Sequence, residues 1–251
     1  MMQNKYKKIV IIGATSSIAE HCARLWVKEN PVNLILVGRD LVKTEIVAAD
    51  LRVRSSQSMI NTLEADFIDP FSIGKLVDNI VAEGQVDIVL IAHGSLPDQV
   101  ACQNSLISVS DALTVNGISP ALFAEAFASH MEKAKTGTLA IISSVAGERG
   151  RKSNYIYGAA KSLLSQYTQG LQHRLANTGV KVALIKPGPT NTPMTAHLKQ
   201  KDQFANVEKV AALIVTGVAQ GKSVIYAPGK WLFIMMIIRC LPKFIFNKMD
   251  I

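Results

Sequence analysis

Two residues on one predicted helix, together with a serine upstream, have the types and spacing for acid–base chemistry. Tyr157 and Lys161 are four positions apart in YGAAKS, and Ser144 lies thirteen residues before Tyr157 in IISSVAG. Residues four apart share a helix face, and a nearby positive charge favours a phenolate over a phenol. Lys161 is therefore expected to lower the pKa of Tyr157 from its ordinary value of about 10. The trio predicts that Tyr157 donates and accepts a proton near neutral pH.

The tyrosine–lysine spacing alone has a simpler explanation, an exposed aromatic beside a solvated lysine on an amphipathic helix. The segment KKIVIIGATSSIAEHCARLW favours the catalytic interpretation. Its β-branched run ends at Gly13 and gives way to small hydroxylated residues and a helical pattern, which is typical of a strand, a tight turn and a helix start. N–H groups at such a helix start bind the pyrophosphate of a dinucleotide. Within the pattern Gly-x-x-x-Gly-x-Gly only Gly13 is a glycine, since Ser17 and Ala19 occupy the other two positions.

Strand and helix patterns alternate along the whole chain. Continuous apolar runs predict strands near residues 8–12, 32–37, 59–64, 86–92, 137–143, 180–186 and 223–226. Such runs are expected where helices cover both faces of a parallel sheet. The pattern predicts an α/β protein of Rossmann type, a doubly wound parallel sheet of about seven strands that binds a cofactor across the carboxyl ends of its strands. One catalytic domain, residues 1–229, would be followed by a hydrophobic basic tail, residues 230–251.

The composition of the 251-residue chain argues against several classes of protein. Three widely separated cysteines give neither a disulfide framework nor metal-ligand spacing, and no metal site is predicted. Metal-ligand spacing is also absent among four of the histidines, His21, His130, His173 and His197. The formal net charge of +8 is spread along the chain without a nucleic-acid-binding motif, so no nucleic-acid partner is predicted. The first apolar run ends at Gly13, too early for a signal sequence, and a reducing cytoplasm is expected.

In their order along the chain, these motifs resemble the short-chain dehydrogenase/reductase family over nearly the whole sequence. The resemblance implies an NAD(P)-dependent oxidoreductase with Ser144, Tyr157 and Lys161 in its active site. Ser143 is adjacent to Ser144, and the thirteen-residue spacing favours Ser144. Asn116, in TVNGISP, matches the family's helix asparagine, where a freed backbone carbonyl holds a water that passes protons to the lysine. The alternative is that Asn116 merely interrupts a helix.

The resemblance also implies which residues contact the cofactor. Lys161 would hydrogen-bond the nicotinamide ribose, and Asp66 would be the adenine-contacting acid after the third strand. The family usually has Asn and Ala where this chain has Ala92 and His93, which departs from the pattern on the adenine side. The predicted contacts are Gly13, Thr15, Ser16, Ser17, Ile18, Arg39, Asp66, Phe67, Ala92, His93, Gly94, Tyr157, Lys161, Pro187, Gly188, Thr190 and Thr192.

Arg39 bears on the choice between NADPH and NADH. It ends the second predicted strand in LILVGRD, twenty residues beyond Ala19, where NAD-specific sheets place an acidic residue for the ribose 2′-hydroxyl. A guanidinium matches the geometry of a 2′-phosphate instead. NADPH is therefore favoured over NADH. If Asp40 rather than Arg39 faced the ribose, the preference would reverse.

The stretch SSVAGERGRKSNYIYGAAKS resembles a subgroup that includes the decaprenylphosphoryl-2-keto-erythro-pentofuranose reductases. This resemblance implies an NADPH-dependent ketoreductase for a keto-sugar on a polyprenyl phosphate in cell-envelope glycan synthesis, a partner oxidase that generates the ketone, and a homodimer or homotetramer. One alternative is a soluble ketoreductase for an acyl-carrier or small alcohol or ketone substrate. Another is a non-catalytic NADP-sensing regulator, which would be expected to lose Tyr157 or Lys161.

The tail, KWLFIMMIIRCLPKFIFNKMD, is apolar from Trp231 to Phe246 but contains Arg239, Pro242 and Lys243. It is too short and too interrupted to span a bilayer. It would either be buried against a neighbouring subunit or lie in a membrane interface with its basic side on anionic headgroups. The second explanation predicts peripheral association with the inner face of the membrane. Removal of the tail would then abolish vesicle binding and spare activity on a water-soluble ketone.

Overall fold

The computed structural model describes residues 6–198 and 203–249. Within these residues, seven strands form one sheet in the order β3-β2-β1-β4-β5-β6-β7, and every neighbouring pair is parallel. The strands are β1 (Lys7–Ile12), β2 (Val32–Gly38), β3 (Met59–Glu64), β4 (Ile88–Ile91), β5 (Thr138–Ile142), β6 (Lys181–Pro187) and β7 (Val224–Ala227). Each begins and ends within two residues of its predicted bounds. The predicted Rossmann-type sheet is confirmed.

Helices cover both faces of this sheet. They are α1 (Ser17–Glu29), α2 (Leu41–Arg54), α3 (Pro70–Ala82), α4 (Gln99–Gln103), α5 (Leu106–Leu113), α6 (Ser119–Ala134), α7 (Tyr155–Leu175), α8 (Val207–Ala219), α9 (Lys230–Cys240) and α10 (Lys243–Phe246). Successive β1 residues alternate between faces, so that Ile9 packs with α1, α2 and α8, and Val10 packs with α3, α6 and α7. Both side chains are fully buried, which is why the strand is apolar at every position.

The turn from β1 to α1 requires a glycine. Gly13 has φ +84°, in the left-handed region, and a Cβ there would lie 2.7 Å from the Cβ of His93 at the end of β4. The backbone N–H groups of Gly13 and Ala14 donate to the carbonyl of Val37 at 2.9 and 3.1 Å, which ties the turn to the end of β2. The turn therefore starts α1 directly above the carboxyl ends of β1 and β4, where the strand order changes direction.

The run Leu106–Ala134 is one long helical path that includes α5 and α6. With a mean hydropathy of 1.3 it is long and apolar enough to cross a membrane, but Phe123 and Phe127 of its second half are fully buried against the sheet. That half is a core helix. The predicted interruption at Asn116 takes the form of a π-helical turn, Thr114–Ile118, so the helix widens there without breaking.

Candidate active site

Two adjoining cavities open at the carboxyl ends of the strands. The turn cavity, about 230 Å³, lies over the β1–α1 turn, and the tyrosine cavity, about 170 Å³, lies beside Tyr157. The two cavities adjoin and together make up the cleft, and the residues that line both are Ser16, Ile18, His93, Gly94, Thr192 and Met194. Every residue predicted for the site lines this cleft except Asn116 and Asp66. Segments more than a hundred residues apart in the chain thus meet at one edge of the sheet.

Ser144 and Tyr157 both line the tyrosine cavity. Ser144 follows β5 and caps a 3₁₀ turn, Val145–Glu148, by accepting from the N–H of Ala146 at 3.1 Å. Tyr157 is half-buried in the first turn of α7. Burial raises the pKa of Tyr157, and a hydrogen bond with Ser144 acts in the opposite direction. The prediction of a lowered tyrosine pKa is therefore wrong for this chain by itself, because removing a phenolate from water costs more than the neighbouring groups return.

Lys161 lies one helical turn below Tyr157 and is 3% exposed. Its Nζ donates to the carbonyl of Ile142 at 3.1 Å and lies 5.9 Å from the centroid of the Tyr157 ring. Burial lowers the pKa of Lys161 to about 8. The side chain is still mostly an ammonium at neutral pH. The positive charge that the sequence predicted near Tyr157 is therefore present.

The structure separates the two candidate serines. Ser143 is 2% exposed, and its hydroxyl donates to the carbonyl of Lys161 at 2.9 Å and contacts the hydroxyl of Ser165 at 2.8 Å. Its hydrogen bonds therefore hold β5 against α7. Ser144 lines the tyrosine cavity together with Tyr157, and its hydroxyl accepts from the N–H of Ala146.

Asn116 lies behind the wall of the cleft. It is fully buried in the π-helical turn, where its Nδ2 donates to the carbonyl of Ala112 and its Oδ1 accepts from the N–H of Ser95, both at 2.9 Å. A Cβ placed on Gly94 would lie 2.8 Å from Asn116 Oδ1 and 3.5 Å from Lys161 Nζ. The side chains of Asn116 and Lys161 thus both lie close to Gly94. This position suits a residue that acts through Lys161 and does not touch a substrate.

The turn cavity presents donors suited to phosphate groups. The first N–H groups of a helix have no partner within the helix, and Ser16 caps α1 without a side-chain hydrogen bond. Arg39 is exposed at the rim of the cavity. Asp40 is directed elsewhere, since its carboxylate accepts from the N–H of Lys43 at 3.0 Å to cap α2 and pairs with the Lys43 ammonium at 3.0 Å. A helix start with a guanidinium beside it fits a dinucleotide that carries an extra phosphate.

His93 forms the floor between the two cavities. Its ring packs edge-on against Phe67 and Phe123, with centroids 4.8 and 5.7 Å away, and its Nε2 pairs with the Ser119 hydroxyl at 2.9 Å. Burial, with smaller contributions from the charges of Lys161 and Arg39, lowers the pKa of His93 to about 3, so the ring is neutral. Its Nδ1 is buried without a hydrogen-bond partner in the part of the chain that the structure describes.

Asp66 lies outside the main cleft. Its carboxylate accepts from the N–H groups of Ile68 and Asp69 at 2.7 and 3.3 Å, which closes the turn after β3. It shares a shallow surface with Arg39 beyond the turn cavity. Phe67, the next residue, is the one that enters the cleft.

Several residues line the tyrosine cavity without having been assigned to the site from the sequence. Arg151 and Asn154 belong to the basic loop that follows the 3₁₀ turn, and most of the others are apolar, among them Leu96, Met194 and Leu198. The sequence signal was the unusual run GERGRKSN, which showed a cluster of charge without showing which side chain turns inward.

The C-terminal tail packs directly on this active-site loop. Arg149 donates to the carbonyls of Ile238, Arg239 and Leu241, at 3.2 Å for Arg239 and 2.8 Å for Leu241, and its guanidinium lies 3.8 Å from the centroid of Phe246. These contacts satisfy the free carbonyl end of α9. The guanidinium of Arg239 in turn pairs with the buried carboxylate of Glu148, in the 3₁₀ turn, at 3.4 Å.

Trp231 attaches the start of α9 to the loop after β6. A Cβ on Gly188 would lie 1.8 Å from the indole nitrogen of Trp231, so any side chain at position 188 would displace the tryptophan. The outer face of the tail remains exposed and apolar, through Leu232, Phe233, Met236, Ile237, Phe244 and Ile245. The tail thus has one face on the site and one face open.

Comparisons with known proteins agree with this architecture. The family model described as short chain dehydrogenase matches residues 7–203. The chain belongs to the short-chain dehydrogenase family. It is accordingly an NAD(P)H-dependent oxidoreductase.

Among sequence relatives, an uncharacterized oxidoreductase of Mycobacterium tuberculosis is 29% identical, with 96% of each chain covered. Another, from Streptomyces coelicolor, is 27% identical over 97% of this chain and 96% of the relative. Among solved structures, a short-chain dehydrogenase from Sphingobium yanoikuyae in complex with NADPH has a TM-score of 0.80 and 22% identity, with 94% of this chain and 97% of that chain covered. The bulky-bulky ketone specific alcohol dehydrogenase from Comamonas testosteroni has a TM-score of 0.78 and 21% identity, covering 97% and 95%.

Proposed function

We propose that this short-chain dehydrogenase is an NADPH-dependent ketoreductase. The observation that carries the proposal is that Ser144 and Tyr157 line one cavity, with the ammonium of Lys161 buried one helical turn from the tyrosine. When bound, the reduced nicotinamide supplies hydride to the carbon of the keto group.

The residues of the chain supply and stabilise the proton. Tyr157 donates its phenolic proton to the carbonyl oxygen, so that C=O becomes CH–OH and the tyrosine becomes a phenolate. Its raised pKa keeps the phenol protonated before this step. Ser144 donates a hydrogen bond to the same oxygen as negative charge develops there. Lys161, held by the carbonyl of Ile142, stabilises the phenolate, and Asn116 supports the proton return to Lys161 from behind Gly94.

NADPH is proposed over NADH because Arg39, and not Asp40, borders the turn cavity. The Asp40 carboxylate is occupied by the start of α2. Two structural relatives are described with NADPH or NADP bound, the Sphingobium yanoikuyae enzyme and a protein named ElxO. The proposed contacts include the start of α1, the floor at His93 and Gly94, and the loop after β6 at Pro187, Gly188, Thr190 and Thr192.

For the substrate we propose a keto-sugar linked to a polyprenyl phosphate at the inner face of the membrane, produced by a partner oxidase. The support is the resemblance of the loop and catalytic helix to reductases of that kind, together with the open apolar face of α9 and α10. That face is flanked by Lys230, Lys243 and Lys248, an arrangement suited to an anionic membrane surface.

The direct test is NADPH oxidation by the purified protein with a panel of ketones. The panel should contain a 2-keto-pentose on a polyprenyl phosphate, the same keto-sugar without its lipid, an acyl-carrier β-keto ester and a bulky aromatic ketone. Preference for the lipid-linked sugar supports the full proposal, and preference for a soluble ketone replaces the substrate. Tight NADPH binding without oxidation on any ketone would indicate the sensing regulator and contradict a reductase.

Membrane association is tested separately by sedimentation with vesicles of phosphatidylcholine alone or with phosphatidylglycerol. Binding should increase with the anionic lipid and weaken with salt, because lysine attraction to headgroups is screened. If the protein does not bind vesicles and Phe233→Ser converts an oligomer to a monomer, the open apolar face of α9 and α10 is a subunit contact instead.

A further inference from the structure

Arg151 is a charged residue of the tyrosine cavity that the proposed chemistry leaves without a role. Apart from Lys161, it is the one cationic side chain among the described residues that line this cavity. The loop that carries it lies between the 3₁₀ turn after Ser144 and the start of α7. Its guanidinium therefore borders the space that the keto group of the substrate must enter.

No hydrogen bond or ion pair from the Arg151 side chain is found within residues 6–198 and 203–249. The side chain is nevertheless half-buried, and this burial lowers the pKa of its guanidinium. Removing part of the solvent from a charge without a partner costs free energy, and an anionic ligand would offset that cost. The neighbouring arginine of the loop, Arg149, is in contrast fully engaged with the tail.

Asn154 provides a second unpaired group in the same wall. It lines the tyrosine cavity, and its Oδ1 is buried without a hydrogen-bond partner in the described part of the chain. It precedes α7 but makes no side-chain cap to the helix. An amide oxygen in this state accepts a hydrogen bond from a donor such as a hydroxyl group.

Arg151 also lines a third cavity, distinct from the turn cavity and the tyrosine cavity. It has a volume of about 230 Å³ and lies between the basic loop and the end of the tail. Phe246 and Met249 form its apolar side. Arg151 is therefore placed at the junction between the tyrosine cavity and the hydrophobic tail. A ligand that extended from Tyr157 past Arg151 would meet apolar side chains next.

We propose that Arg151 binds a phosphate-like anionic group of the substrate and that Asn154 accepts a hydrogen bond from a substrate hydroxyl beside it. The substrate class is then an anionic hydroxyketone whose keto group lies on Ser144 and Tyr157. This inference rests on the proposed ketoreductase function and deepens it, because it assigns the substrate's charge to one side chain. The phosphate could be the linkage to a lipid or part of a small soluble sugar phosphate.

The test is equilibrium binding to the full-length protein with three probes: farnesyl phosphate and farnesol, both below their aggregation concentrations, and inorganic phosphate. We expect farnesyl phosphate to bind at least about tenfold more tightly than farnesol, the scale of a charged hydrogen bond. Arg151→Gln should remove that difference, and Arg151→Lys, which keeps the charge without the bidentate fork, should retain part of it. Lys133→Gln, an exposed residue on α6, makes the same change in net charge and should retain all of it. Arg39→Ala should also retain it, which excludes phosphate binding at the turn cavity.

Farnesyl phosphate binding much more tightly than inorganic phosphate, with both lost in Arg151→Gln, supports the site and a lipid-linked phosphate. Equal binding of the two phosphates, again lost in Arg151→Gln, supports the site and a soluble sugar phosphate. The inference is overturned if neither phosphate binds the unmodified protein, or if a folded Arg151→Gln and Arg151→Lys both bind phosphate as it does. Because these are binding measurements, their outcome is independent of NADPH oxidation, which tests the proposed function.

Discussion

The two ends of the active-site cleft are built in different ways. The turn cavity is formed mainly by residues 13–18, the ends of β2 and β4, and backbone groups at a helix start. The tyrosine cavity brings together the ends of β4, β5 and β6, the basic loop and the start of α7. Behind it, the tail contacts Arg149 of the basic loop, and Trp231 of the tail packs on the loop after β6.

This difference indicates which end of the cleft depends on side chains specific to this protein. Backbone N–H groups and one guanidinium would suffice to bind the phosphates common to every NADPH molecule, so the turn cavity would need few special side chains. The tyrosine cavity needs specific hydroxyl, ammonium and guanidinium groups held by several separate segments. Changes at one end should therefore leave the function of the other end intact.

The strongest test of this independence is Tyr157→Phe. The substitution removes the proton donor and nothing else, so turnover should fall by about 10²–10⁴-fold. The dissociation constant for NADPH should stay within about twofold, because the turn cavity is unchanged. Tyr155→Phe, two residues earlier and 43% exposed, is the matched control and should keep normal turnover. Steady-state rates and fluorescence titration of NADPH measure the two quantities, and near-normal turnover in Tyr157→Phe would reject the mechanism.

The converse test is Arg39→Ala at the turn cavity. Loss of a charged hydrogen bond to the 2′-phosphate should weaken NADPH binding by about 1.5–3 kcal/mol and leave NADH binding little changed. Turnover at saturating NADPH should persist, since Ser144, Tyr157 and Lys161 are untouched. Lys43→Ala, which removes the cation paired with Asp40, serves as the control. Equal losses for NADPH and NADH would mean that Arg39 supports the fold of the turn instead.

A change of pH should also affect the function of one cavity and not the other, and this effect should be smaller and reversible. Burial lowers the pKa of Lys161 from 10.5 to about 8, so the side chain is an ammonium below that pH and neutral above it. The phenolate of Tyr157 loses its stabilising charge as Lys161 loses its proton. The value of kcat/KM for ketone reduction should then fall about tenfold per pH unit above pH 8. The ratio of NADPH to NADH affinity should stay constant over the same range, because Arg39 remains charged. A flat profile of kcat/KM to pH 10 would exclude Lys161 as the titrating group.

The difference between the two cavities also explains which features could be predicted from the sequence and which could not. The seven strands, the β1–α1 turn and the Tyr157–Lys161 spacing are local patterns, and the structure has all of them close to their predicted positions. The lowered pKa of Tyr157 was predicted wrongly because it depends on burial by distant segments. The roles of Arg151 and Arg149 were also missed, since adjacent basic residues in one loop turn to different partners. Only the packing of residues 230–249 on that loop distinguishes them.

The smallest predicted effect concerns the tail and the boundary drawn at residue 229. If α9 is held by the active-site loop, Arg149→Ala removes hydrogen bonds from the carbonyl end of that helix and its contact with Phe246. The local stability of α9 should fall by about 1–2 kcal/mol, seen as roughly five- to thirtyfold faster amide hydrogen exchange around Met235. NADPH affinity should not change, whereas KM for the ketone should rise modestly, because the loop that carries Arg151 loses its support. Arg174→Ala, which breaks ion pairs between α7 and α6, should leave α9 exchange unchanged. Unchanged exchange in Arg149→Ala would restore the independent tail predicted from sequence, and deletion after Gly229 should then spare turnover on a soluble ketone. On the present contacts that deletion should instead impair turnover, because it removes the partners of both Arg149 and Gly188.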